Sequence, residues 1–464
     1  MQSGFVQSGF VQSGFVQSDS HALRRVDTAL MAIAAPNTST TTTAPGTEQS
    51  YLAPLATVTT LFFMWGFLTC LNDILVPHLK SIFDLNYRQS QLIQLAFFGA
   101  YFVFSFPASR IVDWIGYQRS MVVGLLTAGV GAFLFVPAAS AASYPLFLGA
   151  LIVLAAGITC LQVAANPYVT VLGPPQTASS RLNLTQAFNS LGTFLAPFFG
   201  GVLILSAAPK AMDEIRAMAP DVLQAYRQHE AATVKTPYIG LGITLVLLAV
   251  AIGTFKLPTI AHAQHKVGEK VNDSIWNHPS LIFGAIGIFV YVGAEVSIGS
   301  FLVNYFSQPD IGGLTEKAAA NLVAFYWGGA MVGRFIGSGL LQKMKTGQLL
   351  GICAVCAAAL VATSMLATGH VAMYSIILVG FFNSIMFPSI FTLGVAELGP
   401  LTGDGSGVMI MAIVGGALIP YAQGAIADRI GIHHAFFLPV LCYLYILFFA
   451  LSGSKPNSQR HAKA

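Results

Sequence analysis

Residues 145–172, PLFLGALIVLAAGITCLQVAANPYVTVL, run without a single charged side chain. A helix rises 1.5 Å per residue, so about 20 apolar residues cross the hydrocarbon core of a bilayer. Eleven further stretches of this kind flank it. Three precede it, at 54–79, 89–110 and 119–139. Eight follow, at 179–205, 236–256, 280–306, 318–340, 348–368, 371–397, 404–426 and 433–452. The whole chain agrees: its 464 residues are 55% hydrophobic and 9% charged, with mean hydropathy +0.70. Soluble domains carry about 25% charged residues. Too few charges remain to coat a water-facing surface, so the apolar excess faces lipid. The sequence predicts an all-α integral membrane protein with twelve transmembrane helices.

The connections set the organisation. Residues 1–51 open with three copies of QSGFV and continue through NTSTTTTAPGT, which predicts a disordered low-complexity tail without a signal peptide. A polar connection from about Ala207 to Lys235 separates segments 5 and 6, and another from Leu257 separates segments 6 and 7. The chain therefore divides into a six-helix bundle over 52–256, a cytoplasmic linker over 257–279, a second six-helix bundle over 280–452 and a cytoplasmic tail over 453–464. With both termini in the cytoplasm, 14 of the 22 Lys and Arg lie inside, Arg334 counted among them, as the positive-inside rule favours. The halves also read as a degenerate repeat. Leu195–Gly201 resembles Leu418–Gly424, and Pro167 with Thr170–Gly173 resembles Pro388 with Phe391–Gly394. The same spacing carries Asp73 onto Glu295, and repeats of this kind are typical of transporters.

An acid inside hydrocarbon costs a few kcal/mol, so each one needs a reason. Asp73 in TCLNDILVP and Glu295 in YVGAEVSIG are the candidates for coupling transport to a cation, either proton or sodium. Amides gather at similar depth: Asn72, Gln162, Asn166, Gln186, Asn189 and Asn383, with Asn183 earlier in its helix and not expected to touch substrate. Amides both donate and accept, which suits the hydroxyl-rich rim of a sugar, and aromatic faces such as Trp65, Phe97, Tyr101 and Trp327 suit its apolar face. The bland reading is that such amides join helices in lipid. Gln162, Gln186, Asn189, Asn383 and Trp65 form the expected substrate set. Pro167 and Pro388 each free a backbone carbonyl within a helix. Arg110, Asp113 and Arg119 flank Gly116 between segments 2 and 3, and are expected to form a charged gate at the cytoplasmic helix ends.

Other classes find no support in the residues. No phosphate-binding loop, zinc-protease motif or nucleophile elbow is present, so the chain reads as neither an ATP-driven pump nor an enzyme. The net charge of +4 comes with no basic patch, so no nucleic-acid partner is expected. Cys353 and Cys356 form a CxxC inside an apolar segment with no second pair, so no metal or cofactor is expected.

The stretches FFMWGFLTCLNDILVPHLK, LQVAANPYVTVLGP, RLNLTQAFNSLGTFLAPFFGG, YVGAEVSIGSFLVNYF and FPSIFTLGVAELG resemble the major facilitator superfamily, in its fucose permease and glucose/galactose transporter branch. The resemblance covers roughly 52–452. It implies two six-helix bundles around a central cavity, alternating access, and hexose import by cation symport in the bacterial inner membrane. A monomer is expected. Asp73 matches the family's membrane-embedded acid, and Asn189 an amide implicated in sugar binding. The chain departs from the fucose permease by carrying Gln162 for a Glu and Glu295 for a Gln, and looks more like the glucose/galactose members. The alternatives are a transporter of a different small solute, or a sugar sensor that transports nothing.

Overall fold

The structure, a computed structural model, describes residues 51–83, 87–203, 218–258 and 273–455, and within these the side chains outside 68–83, 87–91, 197–203 and 230–233. The described residues form helices and no strand. Hydrocarbon offers backbone groups no partner, so each spanning segment satisfies them within its own helix. In the first half the helices are α1 (Leu52–Phe83), α2 and α3 (87–115 and 117–140), α4 (Tyr144–Val171), α5 (Ala178–Leu203), α6 (Pro220–Thr233) and α7 (Lys235–Thr254). α2 and α3 join at Gly116, whose φ of 80° is left-handed and turns the chain without a side-chain clash.

The second half begins with α8 (Pro279–Phe306), α9 (Glu316–Leu340) and α10 (Thr346–Leu366). Its last three segments each comprise two pieces: α11 (Gly369–Asn383) with α12 (Met386–Gly394), α13 (Thr402–Met411) with α14 (Gly415–Ile430), and α15 (Ile432–Ala435) with α16 (Phe437–Phe448).

The spans follow the predicted segments to within a few residues. The sequence reading missed α6, inside the polar connection between segments 5 and 6. It starts at Pro220, and Asp221 in its first turn complements the helix dipole. Residues 1–50 and 456–464 of the expected tails, and 259–272 of the expected linker, lie outside the described residues. The end of that linker is ordered by Asp273, which accepts bonds from the Ser274 amide at 2.7 Å and Asn277 Nδ2 at 3.1 Å and pairs with His278 at 2.8 Å. Those bonds hold its carboxyl below the usual carboxylate range.

Small residues bring helices to close contact, as they do where no hydrophobic effect drives association in lipid. A Cβ added at Gly131 on α3 would stand 2.4 Å from the Leu154 amide on α4, and one at Gly157 on α4 2.2 Å from the Ala128 amide on α3.

The proline in segment 10 breaks its helix. Pro388 has no N–H to offer the Ser384 carbonyl four residues earlier, and α11 stops at Asn383 while α12 begins at Met386. Pro167 does the same to the Val163 carbonyl within an unbroken α4. Both carbonyls are taken up elsewhere, by Arg334 Nε at 3.1 Å and by Ser406 Oγ of α13 at 3.0 Å.

Among the described residues, the hydrogen bonds between the halves run from the middle of the molecule to the end that carries the α2–α3, α4–α5 and α9–α10 connections. Ser180 donates to the Ser338 carbonyl at 2.7 Å, Ser179 meets Thr392 at 2.6 Å, and Asn183 donates to the Arg334 carbonyl at 2.7 Å. At the rim, Arg110 stands 3.9 Å from Asp404 of α13. Asp113 packs so closely on Gly403 that a Cβ there would meet its Oδ1 at 2.7 Å. Arg119 is exposed. Asp113 lies in the last turn of α2, past the predicted apolar stretch that ends at residue 110. Burial and the neighbouring Asp404 push its carboxyl up to about 7, against the pull of Arg110.

Two outcomes follow. Gly157→Val forces α3 and α4 apart at a cost of about 1–3 kcal/mol or more, and lowers the melting temperature of the purified protein. Gly149→Val, where an added Cβ meets nothing within 4 Å, leaves it unchanged.

The second concerns pH. A carboxyl whose value is raised by an interface favours that interface fully below its ordinary value of 3.8, and this is lost as pH rises to about 7. Maleimide labelling of Ser180→Cys, buried between the halves, divided at each pH by that of exposed Lys343→Cys to remove the thiol's own pH dependence, therefore rises from pH 5 to pH 7.5 and levels off above. Asp113→Asn flattens that profile; an unchanged profile in Asp113→Asn contradicts the assignment.

Candidate substrate cavity

A cavity of about 130 Å³ lies between the halves. Trp65 of α1, Gln162 of α4 and Gln186 of α5 line it from the first half; Tyr291 and Glu295 of α8, Arg334 of α9, Phe387 of α12 and Ile413 line it from the second. Eight stretches among the described residues are long and apolar enough to cross a membrane by composition. α1, α5 and α9 are not among them, the described side chains of α1 and α5 stopping at Phe67 and Ala196. α5 and α9 meet across the midline, through Ser180, Asn183 and the Phe188–Phe335 ring contact at 5.8 Å. A helix face packed on protein and cavity can carry the polar residues that a lipid-facing one cannot.

The first-half wall is an amide surface beside an indole. Gln162 is 2% exposed; its Nε2 donates to the Tyr101 hydroxyl at 2.8 Å, while Oε1 has no partner. Gln186 Nε2 reaches Asn166 Oδ1 at 3.4 Å, and Asn166 Nδ2 has no partner. A buried amide oxygen without a partner costs about 1–3 kcal/mol, which a hydroxyl donor entering the cavity would recover. The Trp65 ring is tilted on Phe62 at 5.3 Å. Phe97 and Tyr101 pack edge to face behind Gln162, at 5.5 Å.

The second-half wall is ionic. Glu295 and Arg334 side chains are 13% and 14% exposed, and Arg334 Nη2 stands 3.9 Å from Glu295 Oε1. The Tyr291 hydroxyl donates to the same oxygen at 2.7 Å and lies 3.1 Å from the Asn383 carbonyl. Two opposing effects act on the carboxylate: loss of water disfavours its charge, and the guanidinium favours it. Arg334 also bonds to Ser190 of the first half.

The structure thus brings Trp65, Gln162, Gln186 and Glu295 onto one cavity. Asn189 is not on its lining; its Nδ2 donates to the Phe62 carbonyl at 2.8 Å and ties α5 to α1. Asn383 is fully buried, with Nδ2 on the Tyr326 hydroxyl at 2.9 Å. Trp327 meets Tyr326 edge-on at 5.1 Å, also off the lining. Asn72 and Asp73 lie outside the residues whose side chains are described.

One reading needs correction. Arg334 was counted among the cytoplasmic charges that set orientation, but it lies on the cavity wall among buried partners. Tyr291, Arg334, Phe387 and Ile413 were all missed as cavity residues. A tyrosine one helical turn before a buried acid, and an arginine flanked on both sides by apolar residues, were the available signals.

Comparison with known proteins places this architecture. The Major Facilitator Superfamily profile matches residues 56–413. The "Glucose/galactose transporter" of Brucella abortus is 52% identical over 425 residues, covering 92% of this chain and 100% of that protein. The "L-fucose-proton symporter" of Escherichia coli is 36% identical, covering 87% of this chain and 94% of that protein. A crystal structure of the transporter FucP in the outward conformation superposes with a TM-score of 0.80 at 35% identity, covering 88% of this chain and 100% of that one. This membrane-spanning chain of paired helical bundles belongs to the Major Facilitator Superfamily.

Proposed function

We propose that this chain imports a neutral hexose, of glucose/galactose or fucose type, by proton symport, as a multi-pass protein of the bacterial inner membrane with both termini in the cytoplasm. One observation carries the reading: one cavity joins amides and an indole from one half to a carboxylate–guanidinium pair from the other. The names of the relatives support the substrate class and the coupling ion. Gln162 and Gln186 would bond sugar hydroxyls, and Trp65 would cover the apolar face of the ring. Asn189 would support that wall from behind, and Asn383 the opposite one.

Glu295 would take up and release the proton, with Asp73 as its counterpart in the first half. A proton on Glu295 would end its pairing with Arg334, and proton and sugar bound together would favour the switch of access. Arg110, Asp113 and Arg119 would gate the cytoplasmic end. A neutral substrate suits the pair, since Glu295 already balances the charge of Arg334.

The test is uptake of labelled D-glucose, D-galactose and L-fucose into proteoliposomes under separate proton and sodium gradients. Accumulation of at least one hexose under the proton gradient alone is expected, and accumulation under sodium alone would overturn proton coupling. Trp65→Ala and Gln162→Ala should raise KM by about tenfold, equivalent to roughly 1.4 kcal/mol each. Asp73→Asn and Glu295→Gln should keep sugar exchange without a gradient and lose uphill accumulation; full accumulation in both would end the coupling assignment. Hexose binding without flux would identify a sensor instead.

A further inference from the structure

Two carbonyls at the break between α11 and α12 face donors that share one further acceptor. The Ser384 carbonyl, freed by Pro388, takes Arg334 Nε at 3.1 Å. The neighbouring Asn383 carbonyl faces the Tyr291 hydroxyl at 3.1 Å. Tyr291 has one proton to give and a nearer acceptor, Glu295 Oε1 at 2.7 Å. Arg334 points Nη2 at that same oxygen from 3.9 Å, about 1 Å longer than a charge-assisted hydrogen bond. The third branch of the guanidinium, Nη1, bonds Ser190 across the midline, and the Arg334 carbonyl accepts from Asn183 of the first half at 2.7 Å. One side chain on α9 therefore touches the acid, the broken helix and the opposite half.

We propose that Arg334 is a positioning residue that carries the ionisation state of Glu295 to the break in segment 10 and, through Ser190, to the other half. An ionised Glu295 draws the guanidinium and the Tyr291 hydroxyl toward itself and away from the two carbonyls. Protonation, with a proton taken from cavity water onto a carboxylate oxygen, ends that pull and leaves both donors to the carbonyls. The planar fork matters: guanidinium offers donors in several fixed directions at once, which a lysine ammonium on a flexible stem does not reproduce. Among the described residues, the remaining ionisable groups around Glu295 are phenols, Tyr291, Tyr326 and Tyr443. The proposal rests on Glu295 as the proton site and adds the route by which that site moves the helix.

The test combines Arg334→Lys with Pro388→Ala. The second leaves Arg334 intact but supplies an N–H to the Ser384 carbonyl, removing the acceptor that Arg334 holds. Spin labels on Lys256→Cys and Lys343→Cys, both exposed and on opposite halves, report the separation of the halves in a cysteine-less background at one fixed pH. Adding Glu295→Gln should shift that distance in the parent and not in Arg334→Lys or Pro388→Ala. Pro388→Ala should bind the best-accumulated hexose of the panel within about threefold of the parent, and both single variants should lose roughly tenfold or more of uphill accumulation.

A full distance shift with parental accumulation in Arg334→Lys overturns the proposal. So does loss of hexose binding in Arg334→Lys beside parental behaviour in Pro388→Ala, which would make Arg334 a substrate contact only. Parental accumulation in Glu295→Gln itself would instead remove the proton-site reading, a distinct failure.

Discussion

A carboxylate and a guanidinium stand 3.9 Å apart in the middle of a membrane protein, each almost wholly withdrawn from water. Attraction at that distance is on the order of 4 kcal/mol at the effective dielectric typical of protein sites, against a desolvation cost of several kcal/mol for each ion. The pair roughly breaks even as a unit, whereas removing either partner strands a buried charge at about 3–5 kcal/mol. Such a pair adds little to stability and makes the surrounding structure sensitive to whether the acid is ionised. The polar character of α5 and α9 follows from it. One carries the Arg334 charge, the other presents Ser190 and Asn183 to it, on the faces they turn to each other, while Phe325, Val332 and Ile336 of α9 are exposed on its outer face.

Proline gives the two halves a shared device. Pro167 and Pro388 occupy matching places in the repeat, and each leaves a carbonyl four residues earlier without its helical donor. In the first half that carbonyl, Val163, is taken by Ser406 across the interface. In the second, Ser384 is taken by Arg334 from the same half. One freed carbonyl therefore binds the halves together and the other answers to the cavity. Toward the closed end, the Ser180, Ser179 and Asn183 bonds continue the seam to Arg110 and Asp113. Apart from the Arg110–Asp404 pair and the Arg334–Ser190 bond, that seam is made of neutral hydrogen bonds, which net only about 0.5–1.5 kcal/mol each. A seam of that strength can be broken and remade by the binding of a proton and a small solute.

Much of this was legible in the sequence because bilayer thickness imposes one length on every span, and charge-free runs such as 145–172 show it directly. Glu295, Gln162, Gln186 and Trp65 were found because polar or aromatic residues in such runs need a partner, and a cavity supplies one. The limits were matters of depth and direction. Arg334 sits six residues before the end of α9, where a long side chain looks like an interfacial charge; only the packing of α9 against α5 and α8 shows it turned inward. Asn383 and Gln162 are both amides at mid-membrane, yet one is enclosed by Tyr326 and the other opens on the cavity. Sequence spacing does not separate those outcomes, because both satisfy the same hydrogen-bonding demand.

The central claim is that Glu295 takes up a proton when sugar is bound in the shared cavity. Its most direct measurement is external pH in a lightly buffered suspension of de-energised proteoliposomes on addition of hexose. The account predicts alkalinisation that tracks sugar entry in the parent protein and is absent in Glu295→Gln. Sugar entry without alkalinisation in the parent, or equal alkalinisation in Glu295→Gln, would contradict it.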